Sequence, residues 1–237
     1  MLMAVSPTDV DVWVATFLGG FLKRNPTFDM AVQSAIRHNI LGGFWFGAAL
    51  FVCWVRAAGS GLERIRVRVL TIMTGATLAV VFTVLAGMVI SWPSPNNHPL
   101  LRSLYPPYID PNPNANSFPS QSTALYGAVA AGMYSVRRIV GVFLWVAVVM
   151  FVALPRMYVG GHYLSDILAG MMLGMVGYTC VRFLAEEKVI SRLERAMTAS
   201  ANWDWVAEVL IFAWILEVSL EFREVVWLKQ GIQSILG

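Results

Sequence analysis

The residues of this chain best equipped for chemistry stand close together in Pro155 to Gly170, which reads PRMYVGGHYLSDILAG. Arg156, His162 and Asp166 are its polar members of interest. A helix beginning near Gly161 puts His162 and Asp166, four residues apart, on one face. The carboxylate can then accept a hydrogen bond from one imidazole nitrogen, leaving the other nitrogen to attack or to bind. Arg156 falls on the loop just before, and a guanidinium beside an oriented imidazole makes a cradle for phosphate. A second polar point is Ser120 in Phe118-Pro119-Ser120, where it reads as the N-cap of the following apolar run. The free N–H groups and positive dipole end of such a helix attract anions.

The elements that must position these residues are membrane helices. Of 237 residues, 57% are hydrophobic and only 13% charged, far from the balance of a water-soluble domain. Apolar runs of a length able to cross a hydrocarbon core of roughly 30 Å recur along the sequence. The reading is an all-α polytopic bundle of about six transmembrane helices: Ile40 to Val55, Val69 to Ser91, Gln121 to Val136, Ile139 to Leu154, Tyr163 to Phe183 and Trp203 to Phe222. The fourth is expected to stop at Pro155. Before them, residues 1–39 hold two interfacial helices. One runs over Val10 to Leu22, with Val10, Trp13, Phe17 and Phe21 on one side and Lys23 and Arg24 after it; the second is capped by Thr27 or Asp29 and runs through Arg37. Residues 40–184 form the transmembrane core. Residues 185–237 hold a charged linker helix over 185–200, the sixth span and a C-terminal amphipathic stretch over Val225 to Leu236.

Charge fixes the expected topology. Arg56, Arg64, Arg66 and Arg68 face one acid, Glu63, in the first inter-span loop, and Arg137 and Arg138 end the third span, so these loops are cytoplasmic. The net charge of +3 is dispersed among such loops, which excludes nucleic acid as a partner. Cys53 and Cys180 both lie in apolar runs and read as packing residues, neither a disulfide nor a metal site. Two aspartates and no basic n-region at the N-terminus argue against a cleaved signal peptide. The long connection from Trp92 to Ser117, rich in Pro and Asn, falls on the outer face with Ser120 and the Arg156 to Asp166 segment. An arginine, an oriented histidine and a helix start at that depth make a site for a lipid phosphate.

These residues resemble a known family. Arg156-x5-His162-x3-Asp166, in its Tyr158-Val159-Gly160-Gly161-His162-Tyr163 and Ser165-Asp166-Ile167-Leu168-Ala169-Gly170 context, is similar to the third motif of the type 2 phosphatidic acid phosphatases, the superfamily shared with vanadium haloperoxidases. Phe118-Pro119-Ser120 resembles the start of the second motif, and Phe17-Leu18-Gly19-Gly20 with Asn25-Pro26 looks like the interface helix of bacterial members. The resemblance implies that His162 attacks phosphorus to give a phosphohistidine, that Asp166 orients it, and that Arg156 and Ser120 hold phosphate oxygens. It implies no metal and no cofactor. It also implies a bacterial inner membrane, with the site facing the periplasm or exterior.

The sequence departs from the family pattern at several positions. Pro119-Ser120-Gln121-Ser122 puts Ser122 where the second motif carries the histidine that protonates the leaving alcohol, and serine cannot serve as that acid near neutral pH. Leu85 stands at the first-motif lysine, and Trp92 and Ser94 at its two arginines. Loss of a general acid typically costs ~10²–10⁴-fold in rate. His98, in the outer loop, is an auxiliary candidate for the missing proton, and Arg102 for part of the missing charge. Two functions follow: a lipid phosphatase acting on a phosphate or pyrophosphate in the outer leaflet, or a degenerate relative that binds lipid phosphate. The second would serve as a subunit of a membrane envelope-lipid or polysaccharide assembly, with a membrane-protein partner or a second copy of itself.

Overall fold

The computed structural model describes residues 3–4, 7–60, 63–109, 116–184, 192 and 204–219. Its helices are α1 (Asp9–Gly19), α2 (Pro26–His38), α3 (Ile40–Ser60), α4 (Glu63–Val89), α5 (Gln121–Val136), α6 (Arg138–Ala147), α7 (Leu154–Tyr158), α8 (Leu164–Leu184) and α9 (Asp204–Ser219). Two short parallel strands, Met3–Ala4 and Ile90–Ser91, join the N-terminus to the end of α4. Among the described residues, four segments are long and apolar enough to cross a membrane: Pro26–Ala57, Arg64–Val89, Arg138–Tyr158 and Leu164–Leu184.

The bundle is built around α5. Its 16 residues rise about 24 Å, and 11 of them are buried, so other helices wall it in and lipid touches little of it. Close approach to α8 requires small residues. A Cβ on Gly174 would lie 2.4 Å from the Ala124 carbonyl oxygen, and one on Gly170 would lie 2.4 Å from that of Ser120. These are the contacts of a small-residue membrane-helix interface. On α4, Gly75 meets the backbone of Tyr178 in the same way, at 2.7 Å. The main core gathers Phe46, Leu50, Ile72, Leu125, Tyr126, Val129, Leu144 and Val148 from α3 through α6 and the turn after it. α9, inside the expected sixth span, lies along α3, with Ile211 and Ile215 in that core and Phe212 edge-on to Phe51 at 6.1 Å.

Two local expectations are corrected. The fourth span does not stop at Pro155. A π-helical turn, Val148–Ala153, separates α6 from α7, and the helix runs on to Tyr158 with Pro155 in its first turn, where a missing N–H costs little. α2 is capped by Asn25, which accepts from the Phe28 N–H at 3.2 Å, and not by Thr27 or Asp29. Asp29 is instead fully buried and accepts from the hydroxyls of Tyr158 and Tyr108 and the Lys23 N–H, the last two at 2.8 and 2.9 Å. The expected helices over 185–200 and 225–236 lie outside the described residues apart from Arg192.

On the face opposite the arginine-rich loops, the connection after α4 is folded rather than extended. It turns through two short 3-10 helices, Pro95–Asn97 and Arg102–Leu104. It buries Trp92, Leu101, Tyr105 and Ile109 against Ala15, Leu22, Val159 and Tyr163 in a second apolar cluster. α1 lies over α7 and α8, with Val14 and Leu18 against Ala153, Met157 and Ile167.

Candidate functional site

The site forms where the starts of α5 and α8 meet beneath this cap. The Ser120 N–H donates to the Asp166 carbonyl at 3.1 Å, and Thr123 Oγ1 donates to the Ser120 and Ile167 carbonyls at 3.0 and 3.3 Å. These bonds fix the two helix starts to each other. Ser120 occupies the N-cap position of α5 and is fully buried, yet its hydroxyl makes no capping bond and has no partner among the described residues. A buried hydroxyl without a partner is costly unless a ligand or water completes it.

His162 lies two residues before α8, not on it. The helix starts at Leu164 because the Asp166 carboxylate reaches back to the Tyr163 N–H at 2.7 Å and closes the first turn there. Gly160, at φ +72°, turns the chain into this loop, and a Cβ there would meet the Tyr105 ring at 2.4 Å. The expected imidazole–carboxylate hydrogen bond is also corrected. His162 Nδ1 is 2.8 Å from the Ser117 carbonyl oxygen and 3.7 Å from Asp166 Oδ2. A carbonyl only accepts, so Nδ1 carries the proton and, in the neutral ring, Nε2 holds the lone pair. Orientation of the imidazole comes from a backbone carbonyl, with the carboxylate one step behind.

Asp166 is fully buried, and its other oxygen is taken by a residue that spacing did not reveal. The Trp92 indole N–H donates to Oδ1 at 2.8 Å, and the Trp92 ring stands edge-on to Phe118 and Tyr163, with centroids 4.9 and 6.4 Å away. Asp11 of α1 is a further unforeseen contact. Its Oδ1 accepts from the Ser165 N–H at 2.9 Å. Burial pushes the Tyr105 phenol above its ordinary range.

Arg156 sits in the last turn of α7, not on the loop that follows. It is 5% exposed, and its guanidinium donates to the Val152 carbonyl at 3.2 Å. Gly161 N–H bonds its carbonyl at 2.9 Å, holding the glycine turn to α7. Ser122 is buried in the first turn of α5. His98 follows the first 3-10 turn, with its Nδ1 buried and without a partner among the described residues, while its carbonyl receives the N–H groups of Leu101 and Arg102. Arg102 is exposed. Among the described residues no hydrogen bond or ion pair joins His98 or Arg102 to His162. The segment meets the site through the Asn96 N–H, which donates to the Gly160 carbonyl at 3.0 Å, and through Tyr105, whose ring lies against Gly160. Leu85 faces outward from α4, and Ser94 is buried with its hydroxyl on Asn96 at 2.7 Å.

A family model described as the PAP2 superfamily matches residues 67–188, a stretch that begins in α4 and contains Trp92, Ser120, Arg156, His162 and Asp166. No curated protein and no solved structure matches the chain.

Proposed function

Because the chain belongs to the PAP2 superfamily, whose model covers more than half of it, we propose that it is an integral membrane lipid phosphatase working through His162. One observation carries this reading: with Nδ1–H bonded to the Ser117 carbonyl, the Nε2 lone pair is the reactive end of the ring. Nε2 attacks phosphorus, the bond from phosphorus to the lipid oxygen breaks, and the alcohol leaves. Water then cleaves the P–N bond, releasing phosphate and restoring the imidazole. Ser120, whose hydroxyl has no partner among the described residues, and Arg156 hold phosphate oxygens, and the start of α5 adds N–H groups and a positive dipole end. The leaving alcohol needs a proton that Ser122 cannot supply, and His98 is the auxiliary donor proposed for it, with Arg102 for added charge. The site stands at the end of α5 opposite Arg137 and Arg138, so it acts on the outer leaflet, facing the periplasm of a bacterial inner membrane.

A second reading is favoured by a specific contact. Trp92 donates to Asp166 where a cation would otherwise serve a phosphate, which suits a protein that holds a lipid phosphate or pyrophosphate without turning it over, as a subunit of an envelope-lipid or polysaccharide assembly. Purified protein in nanodiscs, assayed for phosphate release from a panel of lipid phosphates and pyrophosphates beside His162→Ala, tests both. Release that disappears with the substitution supports the phosphatase. No release above background from the full panel overturns it and leaves the binding role, which saturable retention of the same lipids then measures.

A further inference from the structure

Asp11 belongs to α1, yet it finishes a helix 154 positions further along the chain. It is 1% exposed. Its Oδ2 accepts from the Thr8 N–H and hydroxyl at 3.1 and 2.8 Å, and Thr8 Oγ1 accepts the Asp11 N–H at 3.2 Å, a closed capping box at the start of α1. Its Oδ1 takes the Ser165 N–H in the first turn of α8, one of the donors a helix start leaves without an intrahelical partner. The next residue of that turn is Asp166. One carboxylate thus ties two helix starts together, and the second of them carries the site.

The two sides of α1 differ sharply. Ala15, Val14 and Leu18 are packed inward. Val10, Trp13, Phe17 and Phe21 point outward and are 59%, 66%, 54% and 42% exposed. The aromatic rings make a continuous row: Trp13 stacks on Phe17 at 5.7 Å, Phe17 meets Phe21 edge-on at 5.3 Å, and the Arg24 guanidinium lies 4.8 Å from the Phe21 centroid. A single aromatic row ending in a cation, beside spans that cross the bilayer, has the chemistry of the headgroup layer, where rings sit at the acyl boundary and guanidinium meets phosphate.

We infer that α1 is a membrane-seated clamp on the site: the lipid surface holds its aromatic row, and Asp11 passes that hold to the first turn of α8, fixing where Asp166 and the His162 loop stand. The partner is the bilayer surface, and Asp11 is a positioning residue. The inference concerns the site assigned above, but its test reads backbone order rather than turnover, so loss of the phosphatase reading leaves it standing and the reverse also holds.

The measurement is amide hydrogen exchange of the full chain in phosphatidylcholine nanodiscs, followed over residues 163–167 and, as an internal reference, over α5. Trp13→Ser with Phe17→Ser touches no buried contact and should speed exchange at 163–167 about tenfold, as should Asp11→Ala, a loss in line with one buried hydrogen bond to a charged group. Asp11→Asn, which keeps an acceptor for Ser165, should stay near the unsubstituted rate. Unchanged exchange at 163–167 in the surface variant overturns the membrane hold. Faster exchange spread equally through α5 in either variant reduces Asp11 to general stability and overturns the clamp.

Discussion

The starts of α5 and α8 lie against each other, and they are completed in opposite ways. At α8 two protein carboxylates take the first-turn donors: Asp166 on Tyr163 and Asp11 on Ser165. At α5 the cap residue is a serine whose hydroxyl makes no bond among the described residues, while its own N–H goes to the α8 backbone. Both helices end in the same partial positive charge, but at α8 it is neutralised from within and at α5 it is left for something else. On the proposed reading, a phosphate brought to His162 would be repelled from the helix that carries Asp166 and drawn to the one that starts at Ser120. In that reading the helix holding the motif carboxylate supplies orientation, and its neighbour supplies the anion site.

The largest test of this division is at the residue between them. His162→Ala should lower phosphate release by at least about 10³-fold while leaving the melting temperature nearly unchanged, because its ring is only half-buried and its hydrogen bond among the described residues is to a carbonyl. Trapping of labelled, acid-labile phosphoprotein from the unsubstituted chain and not from the variant would locate the covalent step. A variant that still accumulates it would move the nucleophile elsewhere and dissolve the comparison.

Next comes the saturated helix start. Asp166→Ala strands the Trp92 indole N–H and the Tyr163 N–H in a buried place, at about 1–3 kcal/mol each. Thermal unfolding in detergent should register a large drop in midpoint. Trp92→Phe separates the ring from its donor. The packing against Phe118 and Tyr163 can persist, and the loss should be about 1.5–3 kcal/mol, the worth of one hydrogen bond to a charged group. A Trp92→Phe chain as stable as the original would mean that the indole contact contributes nothing to holding Asp166.

These contacts also mark the limit of what could be read from the chain itself. The bounds of α5, Gln121–Val136, are those the apolar run between Ser120 and Arg137 dictates, because a cap residue and a basic pair bracket it. The apolar run starts the fifth span at Tyr163, one residue from the observed Leu164, but a helix start near Gly161 that would put His162 on α8 is not found, since a side chain reaching back three residues sets the start and periodicity does not register that. Asn25 before Pro26 carried the capping signal for α2, while Asp29 left the helix start for two tyrosines from distant segments. Trp92 stood out only as a departure from a family pattern. That its indole would find a carboxylate 74 positions away depends on how the outer loop folds back, and no spacing encodes it. Asp11 was hidden for the same reason, behind an amphipathic pattern that advertised only the outward face of α1.

The smallest effect on stability belongs to the open helix start, and it separates a cap from a ligand site most cleanly. A serine that caps through its hydroxyl loses about 0.5–2 kcal/mol on change to alanine. Ser120 makes no such bond, and its hydroxyl is buried without a partner among the described residues, so Ser120→Ala should leave the unfolding midpoint unchanged or raise it slightly. The same substitution should weaken retention of a lipid phosphate about tenfold, the loss expected for one hydrogen bond to a charged oxygen. Unfolding measured with and without the lipid phosphate reads both quantities on one sample, because a ligand that binds only the folded chain raises the midpoint in proportion to its affinity. A destabilised Ser120→Ala chain with an undiminished lipid shift would make Ser120 an ordinary cap and leave the positive end of α5 without an assigned ligand.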